Sequence, residues 1–176
     1  MGINLIKNPS FEVDLNGWIL DPDTGSMARD TTTKLSGAAS LQVTTPGTNP
    51  DSEGAYYGDN PNLVNPPIKV VPGRSYAFSG WILGAGTLRL EVIEQDSSGN
   101  PFGNKQQGTS QVASATLWKQ LQLTYVATAA AAYGVRVKVE TAIQQAVTFN
   151  FDDASFQIIE LADAAAHPPA GRGASW

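Results

Sequence analysis

Five separate runs of this chain alternate apolar and polar residues with a period of two. That alternation constrains the fold more than any other feature. Leu121-Gln122-Leu123-Thr124-Tyr125, Val135-Arg136-Val137-Lys138-Val139-Glu140 and Leu88-Arg89-Leu90-Glu91-Val92 each set apolar residues on one side and polar ones on the other. Ser40-Leu41-Gln42-Val43-Thr44 is a shorter copy, and Tyr76-Ala77-Phe78-Ser79-Gly80-Trp81-Ile82 sets small residues opposite large ones. Successive strand side chains point to opposite faces, so each run reads as a strand with one buried and one solvated face, the habit of antiparallel sheets. Pro46-Gly47, Pro72-Gly73 and Asp96-Ser97-Ser98-Gly99-Asn100-Pro101 separate the runs with residues that fix φ or permit φ > 0. The one helix-like stretch, 127–132, is short, Ala-rich and uncapped, and reads as a loop with at most one helical turn.

The ends of this β-rich chain answer each other. Asn4-Leu5-Ile6-Lys7-Asn8-Pro9-Ser10-Phe11-Glu12, followed by Asn16-Gly17-Trp18, carries one carboxylate; Phe149-Asn150-Phe151-Asp152-Asp153-Ala154-Ser155-Phe156 carries two. A first strand and a last strand lying side by side would bring Glu12 near Asp153 and close one β-sandwich on itself. Val147, Phe149 and Phe151 share one parity while Phe156 and Ile158 share the other, so a β-bulge is expected at Asp152-Asp153. Residues 45–67 and 97–116 read as two long loops, the first holding Tyr56 and Tyr57.

Composition narrows the function classes. With 176 residues and no cysteine, one domain of this size buries about 70% of its unfolded surface without disulfides. A net charge of -5 disfavours general binding to nucleic acid. No apolar run approaches the ~20 residues that span a bilayer, so no membrane partner is expected. The charged fraction is only 15%, and the resulting neutral, hydrogen-bonding surface suits a sugar or a protein neighbour better than an ionic ligand. The chain starts at Met with no visible signal peptide, so it is expected either to act without secretion or to have lost a leader. Residues 161–176 change to an Ala/Pro/Gly-rich composition containing the lone His167 and a terminal Trp176. This extension is expected either to pack on its own domain or to lie along another copy in an assembly.

The chain resembles carbohydrate-binding modules of families 4, 9, 16 and 22. The phrases that carry the resemblance occur in order: residues 4–12 with Gly17-Trp18, Ser36-Gly37-Ala38-Ala39-Ser40-Leu41-Gln42-Val43, Pro72 to Trp81, Trp118-Lys119-Gln120-Leu121, and Asp152 to Ser155. The resemblance implies a jelly roll over residues 1–160, ahead of the C-terminal extended tail. It also implies a structural Ca²⁺ held by Glu12 and Asp153 with a carbonyl near Lys34. The alternative for the two carboxylates is that they sit apart, one of them on backbone amides. Asp152 faces the other way by alternation and is the weaker ligand. Glu140 occupies the place of a ligand-binding Glu in the family, whereas Lys138 stands where the family often carries an aromatic. Tyr56 and Tyr57 lie in a loop that often supplies an aromatic ligand contact.

Further candidates come from parity. Trp81 points away from the core, and Arg89, Gln122 and Arg136 are placed to hydrogen-bond hydroxyls; a solvated strand face is the alternative for all of them. Trp18 and Trp118 read as core or edge packing. Catalysis finds no support: no nucleophile elbow or phosphate loop is present, and Asp152 and Asp153 face opposite sides, unlike the paired carboxylates of a glycosidase. The expected function is non-catalytic recognition of a polysaccharide or cell-surface glycan, extracellular or on a virion surface. The alternative is a structural or decoration protein of a phage particle that contacts virion proteins or its own copies through the tail.

Overall fold

Two antiparallel sheets face each other in the computed structural model, which describes residues 2–21, 25–49, 53–58 and 67–159. The front sheet runs β1 (Trp18–Leu20), β4 (Gly54–Tyr57), β10 (Val135–Thr141), β6 (Thr87–Gln95), β7 (Pro101–Gln107), with β8 (Gln111–Val112) also paired to β6. The back sheet runs β2 (Ser26–Asp30), β3 (Ser40–Pro46), β11 (Ala146–Ile158), β5 (Ser75–Gly84), β9 (Lys119–Val126). The all-β sandwich read from the alternation is the fold. Each of the five alternating runs lies within a strand and turns its apolar residues inward: Leu88, Leu90, Val92, Val137 and Val139 from the front, and Leu41, Phe78, Ile82, Leu121 and Tyr125 from the back. Each such side chain contributes roughly 1.5–3 kcal/mol by leaving water. Gly80 is required on the core side of β5, because a Cβ there would lie 2.2 Å from the Phe151 ring.

The ends close, but not as a strand pair. The Leu5 amide donates to the Phe156 carbonyl at 2.8 Å, the Phe156 amide donates to Asn4 Oδ1 at 2.9 Å, and the Ala154 amide donates to the Pro9 carbonyl at 2.8 Å. Residues 2–17 form no strand. Pro9 offers no amide hydrogen and Phe11 has φ 57°, so a continuous ladder is interrupted twice. The expected bulge is present: β11 advances from Asp152 to Ser155 while β5 moves only from Trp81 to Ser79, and Asp153 has φ 48°.

Three expectations need correction. The segments read as long loops contain β4, β7 and β8. Gly54-Ala55-Tyr56-Tyr57 is buried on both faces and so shows no alternation, while β7 is a polar edge strand. The Ala-rich stretch holds a 3-10 turn, Ala129–Ala132, and it is capped: Thr128 Oγ1 accepts from the Ala130 amide at 3.2 Å. Thr128 is itself tied down by buried Glu94, which also accepts from the Tyr125 hydroxyl at 2.7 Å and the Asn104 amide at 2.9 Å. Burial opposes the Glu94 charge, but these donors outweigh it and hold its pKa below the ordinary value. The readings for residues 161–176, including His167, Trp176 and the assembly role, lie outside the described residues.

Candidate functional site

The outer face of the front sheet is built from the polar halves of the alternating runs. Register places Ile19, Tyr56, Lys138, Glu91 and Gln107 in one row across five strands. Arg136, Ile93 and Lys105 form the next row, and Glu140 stands opposite Arg89. Adjacent strands therefore carry opposite charges side by side. Arg89 Nε meets Glu140 Oε1 at 2.7 Å, and Lys138 Nζ meets Glu140 Oε2 at 2.9 Å and also pairs with Asp21. Lys105 Nζ lies 2.9 Å from Glu91 Oε2, and Gln107 Nε2 donates to that same oxygen at 2.7 Å and to Glu140 Oε1 at 3.4 Å. The Arg136 guanidinium sits 4.9 Å from the Tyr56 ring centroid, a cation–π arrangement.

This network lies deep in the surface: Glu140, Glu91 and Lys138 are 0%, 1% and 4% exposed. Burial and the neighbouring Glu140 charge push the Glu91 pKa up. Burial pulls the Lys138 pKa down, but Glu140 and Asp21 outweigh it, so the net shift is upward and the ammonium stays charged. Two buried atoms on adjacent strands have no hydrogen-bond partner, the acceptor Glu91 Oε1 and the donor Arg136 Nε. Leaving such atoms unsatisfied costs about 1–3 kcal/mol each.

A second group surrounds the loop at residues 35–38. Glu12 Oε2 accepts from the Ala38 amide at 2.6 Å, while Glu12 Oε1 is buried without a partner. Gly37, at φ 58°, keeps this space open, since a Cβ would lie 2.0 Å from Glu12 Oε1. Asp153 Oδ1 accepts from Ser36 Oγ at 2.9 Å, so both predicted carboxylates reach the same short loop. Buried Asp152 accepts from the Leu35 and Ser36 amides at 2.9 and 3.3 Å; burial raises its pKa against their pull. Lys34 is exposed and its ammonium donates to the Thr31 carbonyl at 2.9 Å. Among the described residues, no three His, Asp or Glu side chains are grouped as a metal cage. The orphaned Glu12 oxygen, with Asp153 on the same loop, fits Ca²⁺, which completes its six to eight oxygens from carbonyls and water.

Residues 3–148 match the family model for a carbohydrate binding domain, CBM_4_9. The chain belongs to that family. A search of curated protein sequences returns no match. The fold is similar to the CBM22-1 xylan-binding domain of Paenibacillus barcinonensis Xyn10C, with a TM-score of 0.67 and 17% identity over 92% of this chain and 97% of that one. It is also similar to the CBM22-1-GH10 modules of Clostridium thermocellum Xyn10B, complexed with xylohexaose, at a TM-score of 0.64 and 22% identity, covering 85% of this chain and 28% of that one. A family 16 carbohydrate-binding module matches at a TM-score of 0.60 and 14% identity, covering 87% and 99%.

Within this carbohydrate-binding domain the predicted ligand residues divide into three places. Tyr56, Lys138 and Glu140 meet on the outer front face. Tyr57 does not join them: β4 turns it into the core, where its ring lies 5.6 Å from Trp18 and its hydroxyl accepts from the Lys7 amide at 3.1 Å. It is therefore removed from any ligand surface. Trp81 and Gln122 lie on the outer face of the back sheet, across the sandwich from Glu140. Asp21, Glu91, Lys105 and Gln107 were missed. The signal for Glu91 was available, because it shares the parity of Arg89 in the same alternating run.

Proposed function

We propose that this domain binds an extended polysaccharide, with xylan as the first candidate, on the outer face of the front sheet and without catalysis. The observation that carries the reading is the polar cluster on that face, where half-buried Arg89 and exposed Gln107 both donate to Glu140 Oε1 and keep donor hydrogens at the surface. The xylan-binding neighbours support the choice of polymer. Recognition here relies on hydrogen bonds more than stacking. Lys138 replaces an aromatic, and the guanidinium of Arg136 faces the Tyr56 ring. Glu91 and Glu140 lie side by side on one sheet, both within reach of Gln107 Nε2. A glycosidase needs its acid and base flanking the scissile bond, so this arrangement favours binding over hydrolysis. Titration of xylohexaose by calorimetry tests the proposal. Gln107→Ala and Arg89→Ala should each weaken binding about tenfold, matching one lost hydrogen bond to the ligand. Unchanged affinity in both, or release of reducing ends from xylan, overturns it.

We also propose a structural Ca²⁺ held by Glu12 and Asp153, with the Lys34 carbonyl as a further oxygen. Such an ion would fasten the N-terminal segment and β11 to one loop. Because a ligand of the native state stabilises it by mass action, chelator should lower the melting temperature, and added calcium should restore it. An unchanged melt removes the ion from the account.

A further inference from the structure

The back sheet carries a second surface that the front-face reading leaves unused. Beyond the core positions, β5 turns Ala77, Ser79 and Trp81 outward, and β9 turns out Gln120, Gln122 and Thr124. Register sets Trp81 beside Gln120, Ser79 beside Gln122, and Ala77 beside Thr124. Buried Asp152 of β11 lies beside Trp81, and across the bulge β11 adds Ser155 beside Ser79 and Gln157 beside Ala77. Apart from that buried carboxylate none of these side chains is charged, although the chain carries a net charge of -5. A groove of about 300 Å³ lies along β5 and β9, lined by Ala77, Ser79, Gln122 and Thr124. That volume is at the small end of ligand sites.

The strip has a wall and an ordered floor. The loop that includes Thr33, Leu35 and Ser36 covers the β3 and β11 part of this face: Ser40 Oγ donates to the Thr33 carbonyl at 2.6 Å, and Asp152 accepts from the Leu35 and Ser36 amides. The β5–β9 part stays open, with Gln122 exposed and Trp81 half-buried. Gln122 Nε2 donates to Gln120 Oε1 at 2.8 Å, and Gln157 Nε2 donates to Ser155 Oγ at 2.8 Å, so the amides are held in place before any ligand arrives. Each primary amide has two donor hydrogens and an acceptor oxygen, which leaves capacity for hydroxyls.

We infer that this strip is a second glycan site, selective for an uncharged, extended polysaccharide chain. A sugar ring has C–H faces that pack on an indole and equatorial hydroxyls that meet amides and serines. An anionic ligand would lose its hydration here and meet no cation among these side chains, and the nearest carboxylate, Asp152, is already occupied by the Leu35 and Ser36 amides. The site is independent of the front face, being on the opposite side of the sandwich.

The test is a ¹⁵N-resolved NMR titration of the full chain with cellohexaose and with xylohexaose. The expected result is a cluster of shifted amides on β5 and β9, separate from any on β4 and β10. Gln122→Lys alters only an exposed side chain, and should weaken the β5–β9 response about tenfold, the worth of about 1.4 kcal/mol, with the melting temperature unchanged. Trp81→Ala should weaken that response as much, with some loss of melting temperature because the indole is half-buried. The inference is overturned if neither sugar moves β5 and β9, or if the response survives both substitutions. Loss of the β4–β10 response alone would sink the front-face reading and leave this one standing.

Discussion

The two outer faces of this sandwich follow the same alternation and carry opposite chemistries. On the front, Arg89, Glu91, Lys138 and Glu140 form a buried ionic grid, each oriented by its neighbours. On the back, Ser79, Gln120, Gln122 and Thr124 form a neutral amide and hydroxyl strip around one indole. The inward residues of both sheets are interchangeable in kind, since packing asks only for apolar volume. The outward residues are free of that demand, and their cross-strand pairing decides what each face can hold. Rigidity should therefore be unequal: removing one member of the front grid strands its partners, while removing one amide from the back strands little.

The largest expected effect is Glu140→Ala. It leaves Arg89 and Lys138 without their shared carboxylate and should cost roughly 3–5 kcal/mol, the penalty for breaking a buried pair. The matched back-face change, Gln122→Ala, should stay within about 0.5 kcal/mol. Urea denaturation of both variants checks the contrast, and equal effects would erase it. Gly37→Ala comes next. The left-handed backbone alone costs roughly 1–2 kcal/mol, and the new Cβ displaces the Glu12 carboxylate. It should loosen the loop that covers Asp152, so amide exchange at Leu35 and Ser36 should accelerate while the front grid stays protected.

Acid titration sharpens the comparison further. Glu91 has a raised pKa in the folded state, so folded protein holds its proton where unfolded protein does not, and its contribution to stability declines as pH rises through that raised value. Glu91→Gln should remove that decline, read as a flatter melting profile above about pH 4.3, the ordinary Glu value. Glu94 runs the other way. Its pKa is lowered, so its stabilisation is present above the ordinary value and is lost as pH falls through the folded one. The smallest effect expected is on the back strip, where no outward group of β5 or β9 titrates. Sugar-induced shifts on β5 and β9 should keep their midpoint from about pH 5 to 8, and a strong pH dependence there would implicate a titrating protein group such as Asp152, beside Trp81.

Local pattern made some of this legible. The inward parity of Leu121, Val137 and Leu90, the outward parity of Trp81 and the bulge at Asp152-Asp153 were all readable, because each is written in residues two apart. β4 was not: Gly54-Ala55-Tyr56-Tyr57 is buried on both faces and has no alternation to read. Its two tyrosines looked equivalent, yet one faces the ionic grid and the other packs on Trp18. The closing of the ends was legible too. Its form was not, because isolated bonds to Asn4 and Pro9 replace a ladder.

The two-sheet β-sandwich, and the apolar side of each alternating strand, follow from the order of residues along the chain. Those properties depend on side chains that share one strand and one pleat. That Glu140 meets Arg89, that Lys138 meets Asp21, and that Trp81 and Glu140 lie on opposite sides of the molecule came from the folded arrangement alone. Strand order and register bring together residues tens of positions apart, and no local period encodes which strands become neighbours.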